Sequence, residues 1–171
     1  MIDDFLSLGK IVGTHGLQGG LKIQMDRGVL YQLPPNTSVQ FSPHVNSKTY
    51  SIQSVSKQKT YILKLQELTS IEDAEKYVGK NLYILKDNLP PLSEGEFYEY
   101  QLLGLKPIED GTLIQGYRIT SILENPAHPI LEFSNDENSI LIPYIDHYIG
   151  KINIQDKQIE VLGWKDWLDA I

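Results

Sequence analysis

Residues 89–104 read LPPLSEGEFYEYQLLG, and this stretch decides how the chain divides. Pro90 and Pro91 lack backbone donors and have a fixed φ, so regular structure breaks here. An acidic turn, Ser93-Glu94-Gly95-Glu96, leads into the aromatic run Phe97-Tyr98-Glu99-Tyr100. Three rings in so short a segment are expected to dock again, because exposed rings forfeit a large burial gain. We read the stretch as a short, partly rigid hinge. It places a first domain at residues 1–88, a linker at 89–97 and a second domain at 98–171. Extended backbone at the aromatic run would send Phe97 and Glu99 to one side and Tyr98 and Tyr100 to the other. One side would then pack the domains and the other would face a partner.

The charge changes sign across this hinge. Residues 1–88 carry ten Lys/Arg and eight Asp/Glu, a net +2, whereas residues 89–171 carry five and fourteen, a net −9. An acidic domain is repelled by a phosphate backbone and attracted to a basic protein surface, so the two halves call for different partners. The plainer reading is that an acidic surface keeps a small domain soluble. Apolar residues make up 41 % of the 171 and charged residues 22 %, enough for a packed core in each half. There is no cysteine, which excludes disulfides and thiolate chemistry and accords with a cytoplasmic setting. No apolar run approaches the roughly 20 residues that span a bilayer. The start, MIDDFLSLGK, lacks the basic and apolar regions of a signal peptide, so no membrane partner is expected.

Before the hinge the pattern is β. The runs Gly9–Val12 and Leu21–Ile23 flank GTHGLQGG at residues 13–20, where four glycines in eight residues favour tight turns. A strand follows this loop, not a helix, which excludes both the P-loop and the dinucleotide-binding loop. Thr37–Phe41, Thr49–Ser56, Thr60–Leu65 and Asn81–Leu85 read as further strands. Ser70-Ile71-Glu72-Asp73 is a capping box that opens a short helix, Ile71–Tyr77, with Gly79 at its C-terminal turn. Five or six strands and one short helix predict a small barrel.

After the hinge, a strand is expected to begin at Gln101–Pro107, with a hairpin turn at Glu109–Thr112. Leu113–Leu123 reads as one strand with a bulge at Gly116. Ile130–Phe133, Ser139–Pro143, Lys151–Ile154 and Gln158–Leu162 complete a second all-β domain, and Trp164–Ile171 closes it as a helix. Trp164 and Trp167 are expected to tie down the terminus, the alternative being an exposed anchor.

No catalytic constellation emerges. His15, His44, His128 and His147 are scattered, without the i+3 or i+4 spacing of a metal-binding helix. Asp146-His147 beside Tyr144 is a conceivable acid–base group, and no serine sits in a nucleophile elbow. We therefore expect no enzyme, no cofactor and no metal. His15 either contacts RNA or fixes its own loop.

Four segments together resemble the ribosome maturation factor RimM family: GKIVGTHGLQGGLKI, TSIEDAEKYVGKNLYI, LPPLSEGEFYEYQLLGL and ILIPYIDHYIGKINIQDKQIEV. The resemblance covers essentially the whole chain. It implies an all-β protein of two small barrels, the first similar to those of translation factors and the second of the PRC type. It also implies a non-catalytic assembly chaperone, binding the nineteenth protein of the small subunit in the head of the 30S precursor and aiding maturation of the 16S ribosomal RNA. A monomer is expected. The family's paired aromatics, usually Tyr-Tyr, fall on Phe97-Tyr98, with Tyr100 adjacent, and are implied to matter for ribosome association. The family's N-terminal loop falls on Gly13, His15, Gly16 and Gly19; Gln18 stands where a basic residue is common, and Gly20 where a glutamate is.

The other reading is a free-standing RNA-binding barrel. Lys48, Lys57, Lys59 and Lys64 gather about one predicted hairpin and could track an RNA backbone. They could equally shield an edge strand from pairing with other chains, which we favour.

Overall fold

The computed structural model describes residues 2–26 and 29–171. The chain forms two compact units, Met1–Pro91 and Leu92–Ile171.

In the first unit six strands close into a barrel: β1 (Phe5–His15), β2 (Gly20–Met25), β3 (Ser38–Gln40), β4 (Thr49–Lys57), β5 (Tyr61–Leu65) and β6 (Asn81–Leu85), in the order β1-β2-β5-β4-β3-β6. Every neighbouring pair is antiparallel. The alternation of the sequence supplies the inside: Leu8, Ile11, Leu21, Ile23, Ile52, Leu63 and Leu82 are essentially inaccessible to solvent. The long β1 serves both of its neighbours by bending at two register shifts, Ser7/Gly9 against β6 and Ile11/Gly13 against β2. Two short helices complete the unit, α1 (Val29–Gln32) and α2 (Ile71–Glu75). The capping box is formed on its hydroxyl side: Ser70 Oγ accepts from the Asp73 N–H at 3.2 Å, and Ala74 is buried against the barrel.

The second unit contains α3 (Glu99–Leu102), β7 (Lys106–Glu109), β8 (Thr112–Leu113), β9 (Arg118–Leu123), β10 (Ile130–Ser134), β11 (Ser139–Pro143), β12 (Ile149–Asn153), β13 (Gln158–Val161) and α4 (Trp164–Leu168). Its strands lie in two sheets, β11-β10-β9 and β12-β13-β7-β8, which enclose one core of Leu131, Phe133, Ile142, Ile159, Val161 and their neighbours. The β13–β7 pair is parallel and the rest are antiparallel. The all-β, barrel-like plan of both halves thus agrees with the sequence reading.

Two local expectations are corrected. Gln101 does not begin a strand: residues 99–102 are helical, because the Tyr98 backbone N–H donates to Gln101 Oε1 at 2.8 Å and caps the turn. Leu113–Leu123 is two strands, not one, because Gly116 takes φ +85° and breaks the extended run before β9.

Candidate functional site

The aromatic segment does not alternate as a strand. Phe97 packs, partly buried, against the core of the second unit. Tyr98 is only 8 % exposed, and its ring stacks on Tyr100, with centroids 6.1 Å apart and planes 17° from parallel. Burial, and then the neighbouring Tyr100, push the Tyr98 hydroxyl above its ordinary pKa. The helical turn places Tyr98 and Tyr100 together as a stacked pair, while Phe97 is anchored in the core.

The N-terminal loop is a tight connection between β1 and β2. His15 ends β1 and pairs with Gly20. Gly16 and Gly19 both have positive φ, +69° and +84°. A Cβ on Gly19 would lie 2.3 Å from the Leu68 carbonyl oxygen, so this glycine is required by a close backbone approach. Gly13 sits at the bulge in β1, beside the Lys22 side chain. Gln18 accepts a hydrogen bond from Lys64 Nζ at 3.3 Å, and Leu17 at the loop's tip is 80 % exposed. A basic residue at position 18 would face Lys64 and be repelled, which gives a local reason for glutamine there.

The four lysines separate. Lys57 and Lys59 lie at the β4–β5 tip, and Lys64 lies along β5, turned to the N-terminal loop. Lys48 precedes the opposite end of β4, about 30 Å from Lys57 at ~3.3 Å per residue. The edge-protection reading does not hold for Lys48 and Lys64. Barrel closure leaves β4 between β3 and β5, and β5 between β2 and β4. Only the tip outruns its neighbour, since β3 stops pairing with β4 at Ser38↔Ser51.

Lys48 belongs instead to an aromatic cluster that the sequence reading missed. Phe41 and Tyr77 stack with centroids 4.2 Å apart, and Tyr50 meets both edge-on at 5.1 and 5.5 Å. The Tyr50 and Tyr77 hydroxyls share a short hydrogen bond. Lys48 Nζ lies 5.0 Å from the Tyr50 centroid, and Lys80 Nζ lies 5.5 Å from that of Tyr77. Gln40, buried in β3, donates to the Ser42 and His44 carbonyls at 2.5 and 2.7 Å and so pins the loop that leads to Lys48. No spacing rule finds this set, because residues 41, 50, 77 and 80 meet only after β3, β4 and the chain following α2 converge.

In the second unit the Glu132 carboxylate accepts from Ser139 Oγ at 2.6 Å and Ser121 Oγ at 2.7 Å, and those bonds lower its pKa. Trp164 is buried between Phe133 and Tyr117, whereas Trp167 is half-buried against Tyr148, in a groove shared with His147, Leu162 and Asp166. Burial and then Asp146 raise the Tyr144 hydroxyl pKa, the opposite of what a phenolate base at neutral pH needs. Among the described residues no three His, Asp or Glu side chains gather as metal ligands, and no helix is long and apolar enough to cross a membrane.

Residues 6–89 match the model of the RimM N-terminal domain. A ribosome maturation factor RimM of Thermosipho africanus is 30 % identical, over 95 % of this chain and 90 % of its own length. The chain belongs to the RimM family. The RimM protein of Leptospira borgpetersenii is 28 % identical over 98 % of both chains. A crystal structure from Pseudomonas aeruginosa, described as a putative 16S ribosomal RNA processing protein RimM, is 23 % identical with a TM-score of 0.43, covering 92 % of this chain and 96 % of that one. Membership of the RimM family places the chain in ribosome biogenesis.

Proposed function

We propose that this RimM-family chain is a non-catalytic assembly factor for the small ribosomal subunit, cytoplasmic and monomeric, and that its second unit binds a basic protein of the subunit head. The nineteenth protein of the small subunit is the partner that the family resemblance implies. The observation that carries the reading is the charge division: residues 92–171 hold fourteen Asp/Glu against five Lys/Arg, while residues 1–91 are near neutral. A surface of net charge −9 attracts a basic ribosomal protein and is repelled by naked ribosomal RNA. The match to maturation factors along nearly the whole of both chains supports the same reading.

Phe97, Tyr98 and Tyr100 are the proposed positioning elements of this contact. Phe97 keeps the segment on the core without needing a hydroxyl, and Tyr100 is the more accessible member of the stacked pair. Binding helps assembly by stabilising a precursor that the factor contacts better than it contacts the finished subunit. The test is a pull-down of the full chain from lysate, followed by sedimentation. Co-migration with small-subunit precursors and not with mature ribosomes is expected. Equal recovery with mature subunits, or no ribosomal material, sinks the proposal.

A further inference from the structure

We propose that Lys48 and Lys80, seated on the Phe41–Tyr50–Tyr77 rings, form a clamp for the phosphate backbone of a single-stranded RNA. This goes beyond the protein-binding reading and stands without it, since it concerns the first unit alone.

The first observation is one of charge. Between Asp26 and Glu67 there is no acidic residue, while Arg27, Lys48, Lys57, Lys59 and Lys64 fall in that interval. This acid-free run builds β3, β4 and β5, which are consecutive in the barrel, so these strands carry no carboxylate of their own, and the one that reaches them, Glu67, is engaged by the Ser51 N–H of β4 at 2.9 Å. Of the acids flanking Lys80 in sequence, Glu72, Asp73 and Glu75 are on α2, where Asp73 is engaged by Lys76 at 4.0 Å, and Asp87 follows β6 at its far end. Among the described residues neither Lys48 nor Lys80 has a carboxylate within ion-pair distance, and both are exposed.

The second observation is geometric. An exposed lysine ordinarily samples many rotamers and loses that freedom on binding. Here each ammonium is already drawn over a ring, and the two rings are one cluster with centroids 5.5 Å apart. Both ammonium groups act on the same Tyr77 hydroxyl, lowering its pKa against the larger upward effects of the Tyr50 hydrogen bond and burial. The loop before Lys48 is held by the buried Gln40 amide. Two cations are therefore held on one aromatic platform, where phosphates of one strand can meet both. The ammonium N–H groups that face away from the rings remain free to donate to phosphate oxygens. Because the contacts are to phosphate, binding should be independent of base sequence and steeply dependent on salt.

The experiment uses the full chain and two fluorescent 20-nucleotide RNAs, oligouridine and an unstructured mixed sequence, in anisotropy titrations at several salt concentrations. Circular dichroism establishes that the variants fold. The double variant Lys48→Gln/Lys80→Gln is expected to bind both RNAs more weakly by the same factor, and to flatten the plot of log affinity against log salt by about 1.4, for two phosphates lost. Tyr77→Leu keeps both lysines but removes the seat of Lys80, and it should fall between wild type and the double variant. Lys59→Gln at the hairpin tip, a lysine with no ring beneath it among the described residues, should bind as wild type does. Unchanged affinity and slope in Lys48→Gln/Lys80→Gln overturns the proposal, as does a loss confined to the tip variant or to one of the two RNAs.

Discussion

Gly19 lies against the carbonyl of Leu68, with no room for a Cβ between them. The contact fixes the N-terminal loop to the chain just before α2, and it is backbone on backbone, so no rotamer change relieves it. Gly19→Ala also forces a side chain to φ +84°. The expected loss is at least about 3 kcal/mol of unfolding free energy. Gly16→Ala has a similar φ but open space, so it should cost only about 1–2 kcal/mol. Urea denaturation of the two variants side by side checks the difference, and equal losses would remove the role assigned to Leu68.

Tyr98 and Tyr100 should separate stability from binding. Tyr98 is buried, so Tyr98→Ala should cost roughly 3–5 kcal/mol in the second unit, as truncation of a buried aromatic does. Tyr100→Ala should leave the melting temperature within a few degrees while weakening capture of the basic head protein. Calorimetry with that protein, alongside thermal unfolding, reads both. Wild-type affinity in Tyr100→Ala would falsify the partner role.

The protein contact should also weaken as salt rises. Screening over a Debye length of ~8 Å at physiological ionic strength acts on an attraction between a −9 unit and a basic partner. The association rate should drop more than the dissociation rate rises. Surface plasmon resonance between low and physiological salt measures both, and flat rates would count against electrostatic attraction.

Glu132 makes a prediction about pH. Its folded pKa is lowered from 4.5 by Ser139 first and Ser121 second. A depressed carboxylate pKa stabilises the fold above the unfolded value, and that contribution fades as pH falls through the folded one. The stabilisation is thus complete above about pH 5 and is lost below 4.5. In Ser121→Ala/Ser139→Ala the carboxyl should titrate closer to 4.5, with a weaker acid dependence of stability in that window. Carbon-detected NMR titration of Glu132 gives the answer directly.

The sequence was most legible where the signal is local. Ser70 and Asp73 mark a helix start by spacing alone, and the hydroxyl makes the bond that the spacing implies. Asp110-Gly111 reads as a hairpin turn, and both residues take positive φ. Legibility fails where a distant or idiosyncratic contact decides. Glu99–Leu102 has strand-like neighbours, yet one side-chain bond from Gln101 to the Tyr98 N–H accompanies a helical turn. α1 is four residues long, too short for any periodicity. Barrel closure between β3 and β6 rests on the single pair Gln40↔Tyr83, forty-odd residues apart in sequence. The same non-locality hid the Phe41–Tyr50–Tyr77 cluster, whereas the lysines visible in sequence suggested a hairpin patch from which Lys48 is absent.

The parallel pairing of β13 with β7 has a consequence for synthesis. β7 is among the first parts of its unit to leave the ribosome, and its partner β13 is nearly the last. The first unit can close once β6 has emerged and met β1. The second must wait, with β7 paired to β8 on one edge only, until Gln158–Val161 is released to cover the other. At roughly 5–20 residues per second that is a delay of several seconds. A nascent chain therefore presents a finished first barrel while its second half is still an open, acidic tether, and the function assigned to the second unit begins only after β13 has emerged.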